Sequence, residues 1–368
     1  MKIVVALDKF KGSLAALRAC EIVRDALQST RPGLEVVVRP MADGGDGTAE
    51  VFHTALGGEW IYRRVTGVLE AIPFTGRYLW LADRKLAVIE MASASGLALL
   101  RAENRDPLRA TTLGTGELIQ AAIESGATKI LFGVGGSATV DGGVGASTAL
   151  GWRFLAANGR RVGHGGGELD RIARIEPPPL HRKLPEIEVL CDVNNPLYGE
   201  NGAARMFGPQ KGATPEMVER LEAGLRHLAE LVKTQLGKDL ADVPGAGAAG
   251  GLAFGAMAFM NAKLVPGIDT VMEAAGLESA LNGADWAITG EGRFDEQSLR
   301  GKVVAGVTKL AREHGIKVAV LAGSAAIPKA EGINIVLTVQ KEGMPLDQAM
   351  TNAPKLLAET ARELAARL

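Results

Sequence analysis

A chain of 368 residues with a formal net charge of −1 carries neither a basic field to gather nucleic acid nor an acidic tail. Aromatic residues are 4% of the total, too few for base-stacking platforms, and no apolar run approaches the roughly 18 residues of a membrane span. Glycine, at 47 residues, is nearly twice its usual share of about 7% and clusters in loops without a period, which points to close backbone approaches in a chain long enough for two domains.

The first strand, Ile3–Leu7, lacks the longer apolar core of a signal peptide. Cys20 and Cys191 offer neither zinc spacing nor a disulfide framework, so a cytoplasmic setting is expected. Ser13 is read as the N-cap of a helix over Leu14–Ser29 that Pro32-Gly33 stops. A second strand over Glu35–Arg39 leads into the polar loop Met41–Thr48 and a further helix, the opening of an α/β domain. From about Thr66 the texture changes. Tyr78–Leu81 and Ala87–Met91 read as an antiparallel hairpin, as do Arg153–Ala157 and Arg160–Val162. Glu188–Leu190 is a strand ending in Cys191-Asp192. Thr214 caps the clearest amphipathic helix, with Pro215 at its first position. Pro244–Gly255 is a second glycine-rich loop entering a helix. The α/β rhythm resumes at Trp286–Thr289, followed by a polar loop, a helix over Leu299–His314, strands at Val318–Leu321 and Ile333–Val339, and a closing helix over Leu346–Leu368. One domain is therefore expected from both chain ends, 1–66 and 285–368. The other, 67–284, is inserted and carries the hairpins and glycine-rich loops, with a ligand cleft expected between the two.

Ile130–Gly151 is the stretch around which the rest is organised. An apolar run is followed at once by Gly133, Gly135, Gly136, Ser137, Thr139 and Asp141, then by small residues that could coil as a closely packed helix. A strand, a glycine loop and a helix start turn backbone N–H groups toward an anion, and glycine lets a phosphate approach the main chain. A tight structural turn would use the same glycines. Gly133-x-Gly135-x-x-Ala138 also satisfies a short dinucleotide fingerprint. The following segment lacks the ribose-binding acid but holds Arg160-Arg161, so an NADP-dependent oxidoreductase is the alternative reading.

No Walker A pattern, protein-kinase triplet or Gly-x-Ser-x-Gly elbow is present, and the five histidines are scattered. Acid–base or metal work falls mainly on carboxylates at strand ends: Asp8, Asp43, Asp192, Glu291 and Asp295. Lys11, Lys211, Arg293 and Lys302 lie in similar loops. That mixture suits phosphoryl transfer, where a carboxylate orients a hydroxyl proton and cations offset charge on the moving group. Salt bridging between domains would employ the same residues.

Taken together, Asp8-x-Phe10-Lys11-Gly12-Ser13-Leu14, Met41-Ala42-Asp43-Gly44-Gly45-x-Gly47-Thr48, Gly135-Gly136-Ser137-Ala138-Thr139 with Asp141-Gly142-Gly143, Cys191-Asp192-Val193-x-Asn195-Pro196-Leu197, Phe207–Ala213, Pro244–Gly251 and Gly290-Glu291-Gly292-Arg293-x-Asp295-x-Gln297-Ser298 resemble the bacterial type I glycerate kinases. The chain departs from that pattern at Lys9, where the family usually has Ser, and at Asp46, where Glu is common. The resemblance implies a flavodoxin-like parallel α/β domain built from both termini plus an inserted mixed α/β domain. It also implies a Mg²⁺-dependent kinase that uses ATP to phosphorylate D-glycerate, most often on the 2-hydroxyl. Under it, Asp192 is the base or hydroxyl-orienting carboxylate, and Lys11 and Arg293 neutralise anionic oxygens. Gly135, Gly136, Ser137, Thr139 and Lys211 hold the nucleotide, and Glu291 or Asp295 holds Mg²⁺. Asp8, Ser13, Asp43, Gly44, Gly45, Gln297 and Ser298 are expected at the substrate. The expected partners are these small molecules, with no nucleic acid and no membrane, and the reading admits a homo-oligomer.

Overall fold

The computed structural model describes residues 1–69, 73–179, 183–299 and 301–368; His181 lies outside them. Two compact units result, one of Met1–Asp43, Glu50–Gly57 and Pro266–Leu368, the other of Gly44–Ala49 and Gly58–Val265.

The first unit is built on five parallel strands: Lys2–Leu7, Glu35–Val38, Trp286–Gly290, Lys317–Ala322 and Ile335–Thr338. Numbered along the chain, their order across the sheet is 2-1-3-4-5, the flavodoxin-like arrangement. Ile3, Val4, Val5, Ala6 and Leu7 are all fully buried, as a parallel strand covered on both faces requires. Helices Ala16–Thr30 and Ala353–Ala365 pack on each other over one face, burying Val23, Leu27, Leu357 and Leu364.

Ser13 is not the N-cap of the first helix. Its hydroxyl donates to the Phe10 carbonyl at 3.0 Å inside a tight Phe10–Leu14 turn, and the helix begins at Ala16 with no side-chain cap. The closing helix is two helices, Leu346–Thr351 and Ala353–Ala365, divided at Asn352. Pro354 has no N–H to continue the first and suits the opening turn of the second. The expected helix over Leu299–His314 is shorter, Val303–Glu313.

The second unit has a six-stranded sheet in the order Lys263–Val265, Glu186–Leu190, Lys129–Gly133, Leu86–Glu90, Pro73–Leu81, Glu59–Thr66. The first four run parallel, Pro73–Leu81 runs antiparallel to them, and Glu59–Thr66 pairs antiparallel with Pro73–Leu81. Glu59–Thr66 thus belongs to this unit, not to the terminal one as read from sequence, because all eight of its residues pair with Pro73–Leu81. At the other boundary, helices Gly267–Ala274 and Leu277–Leu281 belong to the first unit, with Ile268 packed against Gly306. The expected hairpin at Arg153 also differs: Arg153–Leu155 pairs with Arg174–Glu176, and Arg161 meets Leu155 only in an isolated bridge. The Pro215–Leu236 helix forms as read, with Thr214 Oγ1 accepting the Met217 N–H at 3.3 Å and Gly237 closing it at φ 69°. Among the described residues no helix is long and apolar enough to cross a membrane.

Candidate functional site

In each unit the expected functional loops follow the carboxyl ends of parallel strands, where open α/β sheets hold ligands. In the first unit the 2-1-3-4-5 order switches direction between Lys2–Leu7 and Trp286–Gly290. Asp8 and Glu291 follow these two strands, and the Asp8 N–H donates to the Gly290 carbonyl at 2.9 Å. Asp8 is 7% exposed. Its Oδ1 accepts the Lys9 N–H at 2.6 Å, and Lys9 Nζ stands 3.8 Å from both Asp8 and Asp43. Burial pushes the Asp8 carboxyl up to about 7; Lys9 opposes this and Asp43 adds to it. Lys9, the departure from the family pattern, therefore supplies positive charge between two carboxylates.

Glu291 is partly buried, and its Oε1 has no hydrogen-bond partner among the described residues. Its carboxyl is pushed up chiefly by burial, against the nearby Ser298 hydroxyl and Lys302, with Asp43 and Asp295 adding like charge. Asp295 is engaged locally. Its Oδ1 accepts the Gln297 N–H at 2.9 Å and its Oδ2 lies 3.2 Å from Arg293 Nε. The buried Ser298 hydroxyl donates to the Arg293 carbonyl and accepts the Asp295 N–H, stapling the loop from within. Lys11, Arg293 and Gln297 are exposed, and Ser13 is half-buried.

No cluster of three or more metal-ligating side chains occurs among the described residues. Mg²⁺ needs only one or two protein carboxylates when phosphates and water complete its shell. The orphaned Glu291 oxygen meets that requirement; Asp295, paired with Arg293, meets it less well.

In the second unit Gly133–Thr139 follows Lys129–Gly133, and Cys191–Leu197 follows Glu186–Leu190. A Cβ at Gly133 would crowd the Gly44 carbonyl, one at Gly135 would meet Gly45 Cα, and one at Gly136 would collide with the Asp46 carboxylate. The two glycine motifs, Gly44-Gly45 and Gly133–Gly136, therefore lie backbone against backbone. That contact is invisible in the sequence, and it places Asp46, where the family commonly has Glu, beside the loop. Leu97 N–H donates to the Gly136 carbonyl and Ala138 N–H to the Ser95 carbonyl. Among the described residues the N–H groups of Gly135, Gly136 and Ser137 have no protein acceptor.

The expected strand–loop–helix is longer than the fingerprint allows. The helix begins only at Val144, so Gly133–Ala138 opens no helix and lacks the geometry of a dinucleotide turn. Asp141 is fully buried and organises that helix start. It accepts from the Thr112 N–H and hydroxyl, both at 2.8 Å, and from Gly143 and Gly145 N–H. Burial raises its pKa against those hydrogen bonds. Lys211 is 2% exposed and Thr139 fully buried, so neither side chain presents itself at an open surface. Asp192 is half-buried at the strand end, and burial raises the neighbouring Cys191 thiol, with the Asp192 charge adding.

The second glycine-rich loop packs on the first. Ala249, Gly250 and Gly251 are left-handed in succession, at φ 54°, 68° and 85°, and the Gly142 N–H donates to the Gly250 carbonyl at 3.0 Å. An alanine in that region is strained, whereas a Cβ at Gly250 would collide with the Thr139 carbonyl. Ala249→Gly is accordingly expected to stabilise the fold by about 0.5–1 kcal/mol, and Gly250→Ala to cost about 2 kcal/mol or more. Urea unfolding of the two variants checks the opposite signs.

Comparison with known proteins gives one answer. The glycerate kinase family model matches residues 3–368. A glycerate 2-kinase of Escherichia coli is 44% identical over 374 residues, covering 100% of this chain and 98% of that protein. A glycerate kinase of Halalkalibacterium halodurans is 42% identical, covering 99% and 97%. A crystal structure described as a glycerate kinase 2 from Salmonella typhimurium LT2 superposes with a TM-score of 0.85 at 42% identity, covering 100% of this chain and 98% of that one. With the flavodoxin-like strand order and the strand-end carboxylates already in place, these matches along the full length show that the chain belongs to the glycerate kinase family.

Proposed function

We propose that this chain transfers the γ-phosphoryl group of ATP to the 2-hydroxyl of D-glycerate, giving 2-phosphoglycerate and ADP. The observation that carries the reading is the run of three amide N–H groups, Gly135 to Ser137, that have no acceptor among the described residues, at the end of a central strand. Such a run suits phosphate oxygens. The name of the Escherichia coli relative supports the 2-hydroxyl.

In this reading Asp192 takes the hydroxyl proton as the new O–P bond forms and the bond to ADP breaks. Lys11 and Arg293 offset anionic charge, and Asp8, Ser13, Asp43 and Gln297 serve the substrate, with Gly44 and Gly45 shaping their loop. Ser298 serves indirectly by fixing the loop that carries Arg293 and Asp295. Mg²⁺, when bound, would neutralise charge on phosphate oxygens, and Glu291 is its first candidate ligand, with Asp295 second. Glu291→Gln keeps the shape and removes the charge. It is expected to raise the Mg²⁺ concentration for half-maximal activity at least tenfold; an unchanged Mg²⁺ dependence would remove Glu291 from that role.

The test is coupled ADP release with ATP, Mg²⁺ and D-glycerate, the product resolved by phosphorus NMR. Glycerate-dependent ADP with phosphate on the 2-hydroxyl is expected. Phosphate on the 3-hydroxyl would overturn the regiochemistry, and folded protein with no glycerate-dependent turnover would overturn the substrate.

A further inference from the structure

Lys211 ends the short turn Pro209–Lys211, and its own N–H donates to the Gly208 carbonyl at 2.9 Å. Gly212 follows at φ 93°, with Arg105 packed where a Cβ would stand. The lysine is thus delivered inward by a fixed backbone. Its Nζ donates to Ser137 Oγ and to the Thr139 carbonyl, each at 2.7 Å, across 74 and 72 residues of chain. An ammonium has three donors and no acceptor, so two of the three are committed to atoms of one loop, two residues apart.

We infer that Lys211 is a positioning residue of the phosphate loop: it does not touch the nucleotide but fixes Ser137 and Thr139 so that the Gly135–Ser137 amides and the Ser137 hydroxyl hydrogen are turned toward phosphate oxygens. This rests on the phosphate-loop reading above and deepens it. Two contacts carry it. Ser137 Oγ is an acceptor toward Lys211, which leaves its own hydrogen to donate elsewhere. The Thr139 carbonyl is held by Lys211 on one side and closely packed by Gly250 on the other. An ammonium out of water would be costly without such partners, and Asp141 is the charged group that acts on it.

The experiment measures binding of a non-hydrolysable ATP analogue, AMP-PNP, by calorimetry, and hydrogen exchange of residues 135–137 with and without it. In the native enzyme those amides should become protected. Lys211→Met should weaken AMP-PNP binding at least tenfold and Ser137→Ala several-fold, with glycerate affinity unchanged in both. The double variant should be no worse than Lys211→Met alone, because the two act through one contact. Ser137→Thr, which retains the hydroxyl, should recover most of the affinity. AMP-PNP that binds the native enzyme without protecting these amides would overturn the phosphate loop itself. Protection in the native enzyme combined with multiplicative losses in the double variant would overturn the role of Lys211 alone. If Lys211→Met does not fold, Ser137→Ala decides: AMP-PNP affinity equal to native overturns the inference, and a loss that Ser137→Thr recovers supports it.

Discussion

Asp192→Asn is expected to lower kcat by about 10²–10⁴-fold, the range of a positioned general base, with the KM values for ATP and glycerate within a few-fold of native. The substitution preserves shape, removes the charge and its basicity, and turns one acceptor oxygen into an NH₂ donor. Asp192 stands at the carboxyl end of Glu186–Leu190, directly after a strand paired on both sides, so its backbone position does not depend on the carboxylate. A built-in control lies next to it. The Cys191 thiol is raised by burial and additionally by the Asp192 charge. In the asparagine variant Cys191 should therefore titrate lower, as read by the pH dependence of alkylation, while Tm stays close to native. A drop in kcat with both controls in place identifies the base. Turnover within several-fold of native would move the proton to another acceptor; Asp8, buried at the switch point and titrating at about 7, would then be the next to test.

The second large effect concerns stability against pH. Burial pulls the Lys211 ammonium from 10.5 down to about 7, with Asp141 opposing. Its pKa is thus lower in the folded than in the unfolded chain, so between pH 7 and about 10 the unfolded state binds more protons. Stability contributed by this group must then rise with pH across that window, by at most about 1.4 kcal/mol per pH unit, and is lost as pH falls toward 7. Cys20, raised by burial to about 12, acts in the opposite direction at the alkaline end. The informative quantity is therefore the difference between native protein and Lys211→Met, in which Cys20 cancels. Urea unfolding from pH 6.5 to 9.5 should show a gap that widens in favour of the native protein as pH rises. A gap independent of pH would mean that Lys211 keeps its proton in the fold.

Much of the architecture follows from local rules and was legible in advance. Thr214, Pro215 and Gly237 begin and end their helix by satisfying or lacking particular N–H groups, which a short window of sequence contains. Ile3–Leu7 and Trp286–Ile288 are apolar on both faces, as interior parallel strands are. Ser13 has the residue type of a cap without being one, because two local solutions compete for one hydroxyl. The Phe10 carbonyl accepts its hydrogen and the chain makes a further turn before the helix starts. Residue type and strand-end position pick out the candidates for the site, but not the environment of any of them. The sequence shows a serine and a glutamate in the Gly290–Ser298 motif, not that Ser298 is an internal staple while Glu291 keeps an unpartnered buried oxygen.

What the sequence by itself determined is the alternation of strands and helices, the placement of polar loops after strands, and the motif set that marks the family. These depend on periodicity, capping and residue type, all read within a few positions. The tertiary structure alone decided that Glu59–Thr66 joins the inserted unit, that Gly133–Gly136 lies against Gly44–Asp46, and that Lys211 closes on Ser137 and Thr139. The first rests on which strand the chain meets next, and the other two on packing and desolvation between residues tens of positions apart. The free energy of a charge such as the Lys211 ammonium is set by what surrounds it after folding, not by its neighbours in the chain.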